Sequence, residues 1–137
     1  MKKTLILSLS LVMLLAVAVF TGCSDGPGQY DGEGIDIGEG AITFRFEMTD
    51  QDGEVTAWNV STDQTMLGDA LLEVGLIRGE ESAHGLMVSH VYDVRADWNL
   101  DNAWWALYID ETRSDYGVSS VEIDSEVKYA FVFTPAS

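Results

Sequence analysis

From Ala41 to Met48 apolar and polar residues alternate: Ile42, Phe44, Phe46 and Met48 fall on one side, Thr43, Arg45 and Glu47 on the other. That is the period of a strand with one buried face. Asp50-Gln51-Asp52-Gly53 supplies a turn, with Gly53 able to take positive φ. The alternation resumes from Glu54 to Val60, so the two segments read as a hairpin. The period then changes. Leu67, Ala70, Leu71 and Val74 lie at helical spacing, with Asp63 or Thr65 as cap and Gly75 as stop. Three more strands are expected, at Gly85–Val91, Ala103–Ile109 and Val127–Thr134, the last with Val127, Tyr129, Phe131 and Phe133 on one face. Short segments around Tyr116 and Val121 would add minor strands.

The expected order is β-β-α-β-β-β. One short helix cannot cover both faces of a sheet. It should lie across one of them, giving a small two-layer α+β domain with a β-grasp-like sheet.

The N-terminal pattern is different. Met1-Lys2-Lys3 is followed by an uncharged run from Thr4 to Phe20, then Thr21-Gly22-Cys23. This is the layout of a secretory signal peptide. The apolar run is at the lower limit for spanning a bilayer. The small pair before Cys23 resembles a lipoprotein cleavage point, so residues 1–22 are expected to be removed and Cys23 lipidated. Each buried lipid methylene contributes about 0.8 kcal/mol to anchoring. Cys23 is the one cysteine of the chain, so no disulfide within the chain can form and stability must come from packing. Residues 24–40 hold six glycines and five acidic residues. They cannot bury much apolar surface and read as a flexible tether of about 20–25 Å. The expected organisation is therefore a signal at 1–22, a lipidated Cys and tether at 23–40, and one domain at 41–137, exported and membrane-anchored. It would face the exterior, or the periplasm in a diderm envelope.

Charge narrows the partners. Beyond residue 22 the chain keeps five basic residues (Arg45, Arg78, Arg95, Arg113, Lys128) against 23 acidic ones, a formal charge of −18. That argues against nucleic acid and against charge-driven binding to anionic lipid. The tether glycines lack the spacing and the Lys of a phosphate loop. No nucleophile elbow and no His-Glu-x-x-His occurs, and the expectation is a non-enzyme with no metal and no required cofactor. Asp97-Trp98-Asn99-Leu100-Asp101-Asn102 opens like a calcium loop, but Tyr108 stands where the bidentate Glu belongs, and such residues also make turns. His84 and His90 on one strand would be about 20 Å apart, too far to share a metal. A lone His such as His90 is more often structural or solvated.

The aromatic residues carry the remaining signal. On a strand, Trp104, Ala106 and Tyr108 share one face and Trp105, Leu107 and Ile109 the other. Trp105 is assigned to the core. Trp104 and Tyr108 are open to two readings: cover for the sheet, or a surface for a flat ligand such as a sugar. Trp98, Tyr92 and Trp58 complete the set of candidate ligand-binding residues.

Three runs are similar to the transcobalamin-like C-terminal domain family: Thr65-Met66-Leu67-Gly68-Asp69-Ala70-Leu71-Leu72-Glu73-Val74-Gly75-Leu76-Ile77, Ala103-Trp104-Trp105-Ala106-Leu107-Tyr108-Ile109-Asp110, and Ser125-Glu126-Val127-Lys128-Tyr129-Ala130-Phe131-Val132-Phe133. The resemblance covers roughly residues 41–134. The chain departs from the family at two turns, with Asp110-Glu111 in place of Asn-Gly and Ser125-Glu126 in place of Gly-Asp. In vertebrate cobalamin carriers this domain closes over the corrinoid held by a large helical domain, and no such helical domain is expected in this sequence. The resemblance implies the fold and suggests a cobalamin or corrinoid ligand, captured for a transporter; it leaves Trp104 and Tyr108 open to a corrin ring and His90 open to a role as an axial ligand to cobalt. The alternative expectation is a protein-interaction or adhesion module using the same aromatics on a surface-protein partner.

Overall fold

The computed structural model describes residues 34–136. The signal segment, Cys23 and most of the tether lie outside them. Among the described residues there are nine strands: β1 Ile35–Gly38, β2 Ile42–Thr49, β3 Val55–Thr62, β4 Ile77–Ser82, β5 Gly85–Val91, β6 Val94–Arg95, β7 Ala103–Ile109, β8 Thr112–Arg113 and β9 Lys128–Pro135. One helix, α1 (Leu67–Glu73), follows β3, and a 3-10 turn spans Val118–Ser120.

The large sheet has the order β1-β3-β2-β9-β7-β8. β2 and β3 pair antiparallel as the expected hairpin, and β2 pairs with β9 in parallel at the sheet centre. A parallel pair between the first long strand and the last is the β-grasp arrangement that the element order suggested. α1 and a small sheet, β4-β5-β6, form the second layer. The expected two-layer α+β architecture is therefore present, with a second layer that is part helix and part sheet.

The core lies between the layers. Phe44, Phe46 and Met48 of β2, Trp58 and Val60 of β3, Tyr129 and Phe131 of β9, and Trp105 and Leu107 of β7 all point into it. They meet Leu67, Ala70 and Leu71 of α1 and Ile77, Leu86 and Val91 of the small sheet. The rings interlock mostly edge to face, as Phe46 does on Phe131 at 6.1 Å and Trp105 on Phe133 at 5.7 Å. Such geometry satisfies the ring quadrupoles.

Several details differ from the sequence expectation. First, residues 35–38 of the supposed tether form β1, which pairs in parallel with β3. Asn59 adds a side-chain bond to Asp36 at 3.0 Å. The pairing supplies the backbone partners that this Gly-rich segment lacks on its own. Second, β4 was not expected, because Arg78 to Ser82 are all exposed and show no alternation. Third, α1 has seven residues, is preceded by Met66 without a side-chain cap, and leaves Asp63 to accept the Ala41 N–H instead. Gly75 ends it as expected, with φ of +77° and its N–H on the Leu72 carbonyl. Tyr116 and Val121, expected near minor strands, lie in a turn and just past the 3-10 turn.

The Asp110-Glu111 departure is resolved locally. β7 and β8 close on the pair Ile109–Thr112, with Asp110 and Glu111 both at positive φ, 51° and 69°. That is the two-residue hairpin for which Asn-Gly is the favoured sequence. Asp110 compensates by holding β9: its N–H donates to the Lys128 carbonyl and its carboxylate accepts the Lys128 N–H, both at 2.8 Å.

Candidate functional site

Two strands stop early, and a groove results. β6 pairs only with His90 and Val91, after which the Ala96 N–H crosses to the Ser89 carbonyl and the chain turns away. β8 pairs only with Tyr108 and Ile109. Past it, Ser114 donates its N–H to Leu107 and its hydroxyl closes a turn on Tyr116. The edges of β5 and β7 therefore face each other without a strand between them, tied at one point by Trp105 Nε1–H donating to the Ser89 carbonyl at 3.2 Å.

Two hollows follow this gap. The larger, about 620 Å³, is lined by Trp98, Trp104, His90, Glu80 and Asp97 among others. The smaller, about 410 Å³, is lined by Leu86, Leu107, Phe131, Arg113 and Tyr116 among others. Met87, Val88 and Trp104 line both, so the hollows join. Both sizes lie in the range of small-molecule sites, about 300–1,000 Å³. Met87 and Trp98 are each 61% exposed and Tyr116 is 71% exposed. Large apolar groups left in water around a concave surface are what ligand sites look like.

The Trp98 loop is rigidly built. Asp97 Oδ1 accepts the N–H groups of Asn99 and Leu100 at 2.8 and 2.9 Å. Arg95 makes a two-point contact with Asp101, Nε to Oδ2 and Nη2 to Oδ1, both 2.9 Å. Asp101 Oδ2 also accepts the Asp97 N–H at 2.9 Å. The hydrogen bond from Arg95 holds the Asp101 carboxyl below its ordinary range, against a smaller effect of burial. The same bond raises the Arg95 guanidinium. These carboxylates, which open like a calcium loop in sequence, are engaged in fixing the loop that presents Trp98. Among the described residues no group of three or more His, Cys, Asp or Glu is placed to hold a metal.

Of the five aromatic candidates, the fold brings Trp98 and Trp104 together. Trp58 is corrected: it is 2% exposed, packed on Phe46 at 5.8 Å, and belongs to the core. Tyr92 is exposed but sits at the β5–β6 turn over Trp58, with ring centroids 5.4 Å apart, and lines neither hollow. Tyr108 is half-buried on the outer face of the large sheet, across from Ala130 and Arg113, and lines neither hollow. Trp105 is buried, as its parity with Leu107 required. His84 lies in the β4–β5 turn, whereas His90 lines the larger hollow with Nδ1 3.0 Å from Ser89 Oγ.

Sequence reasoning missed Met87, Arg113 and Tyr116. Met87 carried a readable signal, an apolar residue in the solvent phase between Leu86 and Val88. Arg113, on the two-residue strand β8, and Tyr116, in the polar turn after it, offered none.

No family model matches the chain, and no curated protein matches it. Solved structures do. One is a Ruminococcus gnavus protein whose description as metal-binding is provisional: it shares 16% identity and a TM-score of 0.66, over 71% of this chain and 100% of that one. Another is haptocorrin in complex with Cbi, at 14% identity and a TM-score of 0.58, over 70% of this chain. The chain spans about a quarter of haptocorrin's length, 25%. At these identities the likeness shows the fold: a small two-layer α+β domain of a kind that also occurs as one part of haptocorrin.

Proposed function

We propose that this chain is a surface-anchored, non-catalytic ligand-binding module, held to the membrane through Cys23, whose β5–β7 groove captures a flat small molecule. A cobalamin or other corrinoid is the leading ligand class. The observation that carries the reading is the convergence of Trp98, Trp104 and Met87 on one groove, in a fold also found in haptocorrin. Trp98 and Trp104 would offer ring faces to the macrocycle, Met87 a deformable apolar contact, and His90 and Glu80 polar groups at the wall. The groove is open on one side. It would cover one face of such a ligand, and a second protein, such as a transporter component, would receive the other.

The test is a set of alanine variants in the chain from Ser24 onward, titrated with cobalamin and cobinamide by Trp fluorescence quenching. Trp98→Ala and Trp104→Ala should each weaken binding about tenfold or more, the scale expected when a central aromatic is removed. Tyr108→Ala should leave it unchanged. Unchanged affinity in both Trp variants would sink the groove as the site.

A second reading has its own support. Trp98 and Leu100 are both more than half exposed on one loop, an arrangement that also suits a protein partner. In that case the free groove would show no small-molecule affinity, and a surface protein would cross-link at Trp98.

A further inference from the structure

The basic residues of this acidic chain are unequally used. Among the described residues there are five against twenty acidic ones. Arg95 is clasped by Asp101. Lys128 lies 3.4 Å from both Glu47 and Glu111, and Arg45 also reaches Glu47. Among the described residues Arg113 and Arg78 have no carboxylate within salt-bridge distance. Arg78 stands on the exposed strand β4 and lines neither hollow itself, although it pairs with His90, which lines the larger one. Arg113 stands in the groove, with its guanidinium carbon 5.1 Å from the Trp104 ring centroid.

We propose that Arg113 is an anion-recognising residue of the groove, and that the ligand joins an extended apolar body to a phosphate, carboxylate or sulfonate group. This rests on the groove being a ligand site. Three observations lead to it. In a domain of excess carboxylates this guanidinium pairs with none among the described residues, not even Asp115 of the same hollow, so its donors stay available, and its planar fork fits an oxyanion at two points. Its stacking on Trp104 fixes it at the junction of the two hollows, beside the apolar lining of Leu86, Val88, Leu107 and Phe131. The net negative charge of the domain repels free anions over long range. A small ion therefore gains little there. A ligand that buries apolar surface in the groove reaches Arg113 despite that field.

The test uses two dyes on one scaffold, anilinonaphthalene sulfonate and the uncharged N-phenyl-1-naphthylamine, titrated by fluorescence against the chain from Ser24 onward. The wild type should prefer the sulfonate. Arg113→Gln should weaken the sulfonate about tenfold, the loss of one charge-assisted contact, and leave the neutral dye within about twofold. Arg113→Lys should retain most of the preference. Arg78→Gln removes the same charge outside the groove and should change neither dye. The inference is overturned if Arg113→Gln weakens both dyes alike, which marks it as mere cover for Trp104, or if Arg78→Gln has the same effect on the sulfonate, which marks a general charge effect. If Trp104→Ala leaves both dyes unaffected, the groove reading itself falls and takes this one with it. If Trp104→Ala weakens both and Arg113→Gln is unselective, the groove stands and Arg113 has no part in it.

Discussion

The β7–β8 hairpin gives a quantitative check on how this sequence is fitted to its fold. Glu111 has φ of 69°. A side chain in the left-handed region costs roughly 1–2 kcal/mol, which glycine escapes. Two effects oppose the gain in Glu111→Gly. The contact of Lys128 Nζ with Glu111 Oε2 at 3.4 Å is lost, and such a pair at a carboxylate 79% exposed contributes about 0–1 kcal/mol. The unfolded chain also gains freedom, about 0.4–1 kcal/mol. The net expectation is a stabilisation of about 0.5 kcal/mol, or a rise in Tm of about 2–4 °C for a domain of this size. Asp110→Gly is the contrasting case. Asp110 has a similar φ of 51°, but its carboxylate accepts the Lys128 N–H at 2.8 Å. Removing it leaves that donor without its side-chain partner, so Asp110→Gly should lower Tm. Scanning calorimetry of both variants decides the matter. A fall in Tm for Glu111→Gly, or an equal rise for both, would refute the reasoning.

Three further outcomes are expected. Tyr129→Phe should cost about 1–3 kcal/mol in urea unfolding, because the buried hydroxyl accepts the Asp124 N–H at 2.8 Å and donates to the Glu122 carbonyl at 3.2 Å. Burial raises the Tyr129 phenol above its ordinary value. Its stabilisation is therefore complete below about pH 10 and lost as pH rises through the folded-state value, and the alkaline unfolding limb should flatten in the Phe variant. Asp101→Asn should loosen the Trp98 loop, seen as faster amide exchange at Asn99 and Leu100. Because Asp101 is held below its ordinary range, the wild-type loop should keep its latch above about pH 4 and lose it only as pH falls further. Cys23→Ser should abolish incorporation of labelled palmitate and release the protein from the membrane; retained label would overturn the lipoprotein reading.

How far the sequence could be read depended on whether a segment's partners lay nearby. β2, β9 and α1 announce themselves because each buries one face, and Phe44, Phe46, Tyr129 and Phe131 keep that period without interruption. β1 could not be read. Ile35-Asp36-Ile37-Gly38 is ordered by its pairing with β3, about twenty residues away, and nothing local requires it. β4 was missed because its side chains face solvent, and it is held by backbone pairing to β5. The correction at Trp58 was available in principle. Trp58 has the same parity as Val60 and the opposite parity to Asn59, so its strand places it inward. Trp98 and Trp104 were singled out for their chemistry, but their meeting depends on β6 and β8 each ending after two residues. Past those strands the chain is turned by side-chain bonds of Asp97 and Ser114 that no pattern of hydrophobicity reveals.

The central claim is that the β5–β7 groove takes a flat ligand of the corrinoid class. Isothermal calorimetry of cobalamin and cobinamide against the chain from Ser24 onward, alongside a Trp98→Ala, Trp104→Ala double variant, tests it directly. The account predicts saturable one-to-one heat in the wild type that disappears in a double variant still folded by circular dichroism. No heat from a folded wild type, or undiminished heat in the double variant, would contradict it.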